Sequence, residues 1–407
     1  MRASERLLKY AVIYTGSNEE NAAQTPSTPE QFTLANVLAD DMREIGLTDV
    51  SVDEHAYVYG FLPASEGKEQ CQPIGFIAHL DIVNEFGGTK IRPQVVSNYN
   101  GEEIALGTSG RTLDTERFPD LKQAIGETVI TTDGTTVLGA DDKAGVAEIL
   151  TMCERLIQEN RPHGKICICF TPDEEIGHGA ALLNLKKFGA SYAYTVDGSA
   201  PNEVEWETFH AAAAEWNITG VSVHPGDAKD KMIHAALIAM EINSMLPPNE
   251  IPAKTEGREG FFHLCDMSGN VSQAKLSYII RDHDAEKFAQ RKQLMRDIEC
   301  SINAKYGEGT AMLTLRDQYH NMAEILKDHP DVVERARNAI RAVGLTPVSH
   351  PVRGGTDGAQ LSFRGLPCPN LGTGSYALHG PYEHAIVQQM DTVTEILLHI
   401  VEVQGRI

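Results

Sequence analysis

Short apolar runs alternate with segments of helical periodicity over the first half of the chain. The runs at 57–61, 74–78, 166–170 and 192–196 have the length of buried β-strands. Between them, apolar residues from Leu34 to Ile45 and from Val146 to Ile157 recur at the spacing of one helix face. This alternation predicts a three-layer α/β domain with a mostly parallel sheet.

Local signals predict where two of these helices begin. Thr28-Pro29-Glu30-Gln31 offers an N-cap, a proline in the first turn and a glutamine at the third helical position. Gly46 predicts the end of that helix. Asp142 is the predicted cap of the second helix.

The pattern changes near residue 207 and changes back near residue 320. Between these points the pattern predicts strands at 211–219, 275–281 and 311–316, with helices at 232–246 and 285–306. The order resembles a β-α-β-β-α-β unit, which predicts an inserted ferredoxin-like α+β domain. Helices near 332–343 and 389–404 return to the α/β pattern. We therefore expect 1–206 and 321–407 to form one domain and 207–320 to form the insertion.

Length and charge narrow the class of protein. The chain has 407 residues, more than a single hydrophobic core of about 250–300 residues accommodates. Its 35 basic and 57 acidic side chains give a formal net charge of −22. Nucleic acids and anionic membranes bind to clustered positive charge, so we expect neither as a partner. The excess of carboxylates suits a metal site or a cationic group such as a peptide amino terminus.

The cysteines predict a reducing environment. They lie at positions 71, 153, 167, 169, 265, 300 and 368, an odd number without a regular framework. We expect free thiols in a cytoplasmic protein, with neither a secretion signal nor a membrane span. Cys167 and Cys169 fall on one face of a strand, where core packing is favoured over metal binding.

Imidazole and carboxylate side chains follow four of the predicted strands or apolar runs. They are His79 with Asp81, Asp141 with Asp142, Glu174 with Glu175, and Asp197. Each alone has an ordinary explanation as a solvated turn or a helix cap. Ligands of open α/β sheets bind beyond the carboxyl ends of the strands, so the combination predicts a metal centre there. Asp81 is placed to hold the second ring nitrogen of His79.

The charges of this set fit two divalent cations. Two such ions bring four positive charges, and the carboxylates of Asp141, Glu175 and Asp197 with one bridging hydroxide balance them. Imidazole and carboxylate ligands favour two zinc ions per subunit, with manganese or cobalt as competitors. The cysteines form no cluster that would build a structural zinc site.

Longer motifs resemble the M20 family of metallopeptidases over nearly the whole chain. The motifs are His79-Leu80-Asp81, Gly139-Ala140-Asp141-Asp142-Lys143-Ala144-Gly145, Asp173-Glu174-Glu175-Ile176-Gly177, Asp197-Gly198, Val223-His224-Pro225-Gly226, Tyr278-Ile279-Ile280-Arg281-Asp282, Arg353-Gly354-Gly355-Thr356-Asp357-Gly358 and a late His379. The resemblance implies that Asp141 bridges two zinc ions. One ion would also be held by His79 and Asp197, and the other by Glu175 and His379.

The same resemblance implies the remaining roles at this centre. Asp81 would orient His79, and Glu174 would act as general base. His384 is an alternative late ligand, but Glu383 follows His379 by four residues, as in the family loop.

The resemblance further implies a zinc-dependent aminopeptidase that releases the N-terminal residue of tripeptides. His224 would stabilise an oxyanion, while Arg281 and Arg353 would bind the terminal carboxylate of the peptide. The inserted domain would act as a lid and form a homodimer. Two alternatives within the family are a dipeptidase and a deacylase of N-acyl amino acids. A non-catalytic metal-binding protein is a third alternative, against which an intact Glu174 argues.

Overall fold

The computed structural model of the protein describes residues 1–84 and 86–404. Its α-helices, in chain order, are α1 (Ala3–Ala11), α2 (Gln31–Ile45), α3 (Ala140–Gln158), α4 (Leu185–Phe188), α5 (Ala235–Ser244), α6 (Ala285–Tyr306), α7 (Ala323–Leu326), α8 (Pro330–Ala342), α9 (Asp357–Phe363) and α10 (Val387–Gln404). Within the described residues, no helix is both long enough and apolar enough to cross a membrane.

The β-strands are distributed along the described residues. In chain order they are β1 (Thr48–Val52), β2 (Val58–Leu62), β3 (Ile74–His79), β4 (Pro93–Val96), β5 (Ile104–Leu106), β6 (Arg111–Leu113), β7 (Val129–Thr132), β8 (Ile166–Thr171), β9 (Tyr192–Gly198), β10 (Val204–Glu205), β11 (His210–Thr219), β12 (Phe261–Gly269), β13 (Gln273–Asp282), β14 (Ala311–Tyr319), β15 (Asn370–Gly372), β16 (Ser375–Tyr376) and β17 (His384–Ile386).

The chain divides into two units. The first comprises 1–206, 325–350 and the residues from Thr356 onward, and the second comprises Glu207–Glu324 with Pro351–Gly355. The predicted insertion, 207–320, ends four residues earlier and omits the second segment. That segment belongs to the second unit because the backbone N–H of Val352 donates to the carbonyl of Glu207, at 2.9 Å. The Val352 carbonyl in turn lies 3.0 Å from His283 Nε2.

The first unit is built on a mixed sheet. Within the described residues it has seven strands in the order β1-β2-β8-β3-β9-β15-β10. The four central strands, β8, β3, β9 and β15, are parallel, and antiparallel strands flank them. Helices α4 and α9 pack on one face, and α3 with α1 and α10 packs on the other. The predicted α/β class with a parallel sheet centre is therefore confirmed.

Strands β3, β8 and β9 of the central group contribute to one apolar core. Ile77 of β3, Cys167 and Cys169 of β8, and Ala193 of β9 pack with Phe188 in this core. The two cysteines are buried free thiols, as the core-packing interpretation predicted. Every residue of β3 and β8 is buried, which means that both faces of these strands are covered, and this explains why their sequences are continuous apolar runs.

The second unit is a four-stranded antiparallel sheet with two helices. Its strand order is β12-β13-β11-β14, the order of a ferredoxin-like fold, and α5 and α6 cover one face. Trp216, Ile238 and Met295 lie in the core between sheet and helices. The sequence did not predict β12. This edge strand is exposed beyond Phe262 and its register shifts between Leu264 and Asp266, so its apolar alternation is weak.

The start of α2 differs from its prediction. The helix begins at Gln31, and the hydroxyl of the predicted cap, Thr28, donates instead to the carbonyl of Gly16 at 2.7 Å. Its predicted end is confirmed, since Gly46 adopts the left-handed conformation with φ 109°.

Candidate metal centre

Three neighbouring parallel strands deliver the predicted ligands to one edge of the sheet. His79 is the last residue of β3, which pairs with β8 on one side and β9 on the other. Asp197 lies near the end of β9, and Glu175 follows β8 in a short 3₁₀ turn. Because the carboxyl ends of parallel strands share one edge, these side chains converge although the chain separates them widely.

The converging side chains form two groups that share Asp141. In the first, His79 Nε2 lies 2.9 Å from Asp141 Oδ1 and 3.4 Å from Asp197 Oδ1. In the second, His379 Nε2 lies 2.9 Å from Asp141 Oδ2 and 3.2 Å from Glu175 Oε2. Within each group the candidate ligand atoms all lie within 4.8 Å of one another. Asp141 therefore presents one carboxylate oxygen to each group.

Burial of this many acids in one place perturbs their ionisation. Burial, with the charge of Asp141 adding to it, raises the pKa of Glu175 to about 11. Burial raises the pKa of Asp197 to about 7, again with a contribution from Asp141. For His79, burial acts to lower the pKa, but the carboxylates of Asp197, Asp141 and Asp81 hold it well above the usual value. The cluster thus lacks positive charge.

The residues fit a pair of divalent cations. Glu175 Oε1 is buried, and no hydrogen-bond donor among the described residues reaches it. Two imidazoles and three carboxylates are ligands that zinc, manganese and cobalt accept. Cations between these groups would neutralise the carboxylates and would be coordinated by Glu175 Oε1, which removes the free-energy cost of burying unpaired carboxylates.

Asp81 connects both sides of the site. The ring nitrogen Nδ1 of His79 lies 3.1 Å from the backbone carbonyl of Asp81 and 3.4 Å from its carboxylate oxygen Oδ1. The carboxylate also accepts the backbone N–H groups of Glu174, at 3.0 Å, and Glu175, at 3.2 Å. Asp81 therefore contacts the imidazole as predicted, chiefly through its carbonyl, and its carboxylate holds the Glu174 turn.

The turn that carries Glu174 is also anchored from the opposite side. Asp173 adopts a left-handed conformation with φ 56° immediately before it. Its buried carboxylate accepts the backbone N–H and the hydroxyl of Ser27, at 2.7 and 2.6 Å, and the amide of Gln31 at 2.6 Å. These contacts stabilise a backbone conformation that a non-glycine residue seldom adopts. They fix the direction in which Glu174 leaves the strand.

Two further carboxylates, those of Asp142 and Glu383, accept backbone N–H groups at and around the Asp141 loop. Asp142 caps its helix through Gly145 N–H at 3.2 Å, as predicted, and its other oxygen accepts the His79 N–H at 3.1 Å. Glu383 Oε2 accepts from Leu138 and Gly139, at 2.6 and 2.9 Å, while Oε1 accepts from Asp141 at 3.0 Å. The only sequence signal for Glu383 was its spacing from His379.

The two histidines near the end of the chain that were considered as ligands, His379 and His384, lie in different places. His379 has φ 63° and lies in the second ligand group. His384, the alternative, is buried elsewhere, with Nε2 2.6 Å from Asp120 Oδ2 and its ring stacked on Tyr376. The structure places His379 and not His384 at the cluster.

Comparison with known proteins decides the family. Residues 137–403 match the model described as Peptidase family M20/M25/M40. Four of the five clustered ligands and Glu174 lie in the matched segment. The chain belongs to peptidase family M20/M25/M40. As a member of this family it is a metal-dependent peptidase.

Relatives of the M20/M25/M40 chain match it over nearly their full length. A Peptidase T of Halothermothrix orenii is 50% identical over 400 residues, which are 98% of each chain. A Peptidase T of Alkaliphilus oremlandii is 46% identical over 405 residues, 99% of each chain. One from Caldanaerobacter subterraneus is 48% identical over 406 residues, 99% of this chain and 98% of the relative.

Solved structures show the same fold. The aminopeptidase PepT of Bacillus cereus superposes with a TM-score of 0.78 at 24% identity, covering 100% of this chain and 98% of that one. A tripeptidase of Staphylococcus aureus gives a TM-score of 0.79 at 22% identity with the same coverage. The mixed α/β fold of this M20/M25/M40 protein is therefore shared along the whole chain.

The three residues predicted to bind substrate lie in the second unit. His224 is exposed, and its Nδ1 accepts the N–H of Gly226 at 3.1 Å, which leaves Nε2 as the nitrogen that carries the proton in the neutral ring. Arg281 donates to the carbonyls of Ala212 and Ile280, at 3.3 and 3.0 Å. It also donates to the side chain of Gln318, at 3.0 Å.

Arg353 has several partners inside the same unit. Its Nη1 donates to the carbonyls of Gly257 and Glu259, at 3.0 and 2.9 Å, and its Nη2 donates to Thr255 Oγ1 at 2.8 Å. The guanidinium also lies over the rings of Phe209 and Phe261, at 5.2 and 5.5 Å. Arg353 therefore stabilises the connector between α5 and β12.

Proposed function

We propose that the protein is an aminopeptidase that removes the N-terminal residue from tripeptides with two zinc ions per subunit. The observation that carries this proposal is the pair of ligand groups that share Asp141, with Glu174 directly beside them in sequence. The names of the relatives and of the two solved structures support the substrate class. A cluster rich in carboxylates also suits the positive amino terminus of an unblocked peptide.

The two groups indicate which residues would hold the metal ions. His79 and Asp197 would hold one, Glu175 and His379 the other, and Asp141 both. The donor set favours zinc, with manganese or cobalt as alternatives. When bound, the ions polarise the scissile carbonyl and lower the pKa of a water molecule.

The protein residues then perform the proton transfers and bind the peptide. Glu174 accepts a proton from the attacking water and returns it to the leaving amine, a task that suits a carboxylate on a rigid turn. His224 would donate to the oxyanion through Nε2. Arg281 and Arg353 would bind the terminal carboxylate of the tripeptide, and the second unit would exclude water as a lid.

Adjacent substitutions test the division of labour between base and ligand. Glu174→Gln should keep the metal content of the wild type and lose about 10²–10⁴-fold in kcat for a tripeptide. Glu175→Gln, one residue away, should lose metal, as measured by elemental analysis, because it removes a ligand oxygen. A metal-loaded Glu174→Gln protein with full activity would refute the assignment of the base.

A substrate panel tests the reaction itself. Free tripeptides should be cleaved faster than dipeptides, tetrapeptides and N-acetylated tripeptides, because the amino terminus and the chain length are both recognised. Preferred cleavage of dipeptides or of N-acetyl amino acids would replace the proposal by one of the two related activities.

The setting of the activity is part of the proposal. We place the protein in the cytoplasm, and this is supported by the reduced state of the described cysteines, none of which forms a disulfide. A homodimer through the second unit is supported by Leu237 and Met240 on α5, each 59% exposed. The molar mass of the full chain by light scattering tests the dimer.

A further inference from the structure

A cavity lies in the first unit at the opposite edge of the sheet from the cluster of candidate metal ligands. Its volume is about 390 Å³, and Tyr192 and Arg335 line it together with the loop that contains Lys68 and Cys71. Tyr192 is the first residue of β9 and pairs with Ile74, the first residue of β3. The metal ligands occupy the other ends of these two strands. At roughly 3.3 Å per residue, the ends of six-residue β3 are about 16 Å apart.

Two of the side chains in the wall of this cavity, Arg335 and Tyr192, have polar atoms without a hydrogen-bond partner among the described residues. Arg335 Nε and Nη1 are buried, and among the described residues no acceptor lies within hydrogen-bonding distance of them. The hydroxyl of Tyr192, a residue only 4% exposed, is likewise buried without a partner. Buried donors and charges are costly when they are unpaired, so such groups normally mark a place where something else supplies the acceptor.

The described residues also provide no direct ion-pair partner for Arg335. Within the described residues, no carboxylate oxygen forms an ion pair with it, although Asp331 lines the same cavity. Its guanidinium lies 5.5 Å from the centre of the Tyr192 ring, which holds it against the cavity wall. Burial raises the pKa of Tyr192 to about 12, so the phenol stays protonated and can donate.

We propose that this cavity binds a small oxyanion, a carboxylate or phosphate group held by Arg335 and the hydroxyl of Tyr192. A guanidinium only donates hydrogen bonds and a protonated phenol can also donate, so both groups can bind an acceptor. Oxyanions are the strongest partners of arginine in proteins. The volume lies in the range of small-molecule sites. In a chain of net charge −22, general attraction does not bring anions to the surface, so binding here depends on these local groups.

Equilibrium dialysis with radiolabelled inorganic phosphate and, separately, acetate tests the site on the full chain. Both the metal-loaded protein and the protein treated with chelator are measured. An anion at the metal cluster leaves with the metal, whereas the site at Arg335 should still bind about one anion per chain after chelation. Binding of both probes, or of only one, supports the proposal and identifies the group. The absence of saturable binding of either probe to the chelated protein would overturn it and would indicate that the cavity holds water alone.

Substitutions locate the binding. Arg335→Gln should weaken the metal-independent binding at least tenfold, and Tyr192→Phe, which removes one hydroxyl, about three- to tenfold. The matched control is Arg337→Gln on the same helix, because Arg337 is already paired with Glu334 and Ser349. If Arg335→Gln does not fold, as judged by circular dichroism, Tyr192→Phe decides alone. Equal binding by Tyr192→Phe and the wild type would then refute the site.

Discussion

Glu383 provides the most direct test of how the fold positions Asp141, the carboxylate that the two candidate ligand groups share. Its carboxylate is 1% exposed and accepts three backbone N–H groups, from Leu138, Gly139 and Asp141. We expect Glu383→Gln to weaken metal binding, because the amide presents one oxygen where the carboxylate presents two. If the amide nitrogen replaces Oε1, the Asp141 N–H loses its acceptor. If it replaces Oε2, both Leu138 and Gly139 lose theirs.

The magnitude follows from this geometry. Each hydrogen bond to a charged group contributes about 1.5–3 kcal/mol, so at least that much is lost. A change of about 1.4 kcal/mol is tenfold in affinity, and groups that orient metal ligands typically contribute about 10–100-fold. We therefore expect zinc affinity to fall about 10–100-fold, with the rest of the loss appearing as lower stability.

Competition with a chromophoric zinc chelator measures the affinity, and thermal unfolding measures the stability in parallel. Asp282→Asn is the matched control, since Asp282 is equally buried and accepts from Asp284 N–H and Arg291, but lies in the second unit. It should lower stability and leave zinc affinity within twofold of the wild type. Unchanged zinc affinity in Glu383→Gln, or equal weakening in the control, would refute the positioning role.

Two further predictions each concern one side chain. Arg353→Lys should speed proteolysis of the 247–260 connector several-fold, because an ammonium cannot reach all the acceptors that the planar guanidinium reaches. An unchanged cleavage pattern on gels would contradict this. Neither oxygen of the buried Glu148 has a hydrogen-bond partner among the described residues, and burial raises its pKa well above the usual value. The wild type therefore loses stability as the pH rises above about 4.3, the pKa of a glutamate in the unfolded chain. The melting temperature of Glu148→Gln should consequently rise relative to that of the wild type between pH 5 and pH 8. A constant difference between the two, measured by calorimetry, would contradict the burial argument.

Much of the fold followed from patterns that act over a few residues. Helix α6 occupies the predicted range, and β3, β8 and β9 lie within one or two residues of the predicted runs. Buried parallel strands and amphipathic helices can be recognised from the pattern of apolar residues within the segment itself, so the local sequence is enough to predict them. The edge strand β12 was not predicted, because its second half is exposed to solvent and shows no alternation of apolar and polar residues.

Helix starts and site details depended on distant residues. Thr28 is a residue type that commonly caps helices, yet its hydroxyl donates to the backbone carbonyl of Gly16. Helix α2 begins at Gln31, three residues after Thr28. Likewise Asp81 was expected to hold His79 by its carboxylate, but that carboxylate also receives two N–H groups from the Glu174 turn. Local propensity is weak compared with the tertiary contacts available to a polar side chain.

The sequence by itself determined which side chains stand at the ends of which strands, since strand, turn and residue type are all local properties. Only the tertiary structure decided that Glu383 would hold the Asp141 loop from more than two hundred residues away. Only the tertiary structure likewise placed Arg335 and Tyr192 at one cavity with polar atoms that no other described residue pairs. The physical reason is that hydrogen bonding and burial depend on atoms that the whole fold brings together. The positions of such partners follow no periodic pattern in the sequence.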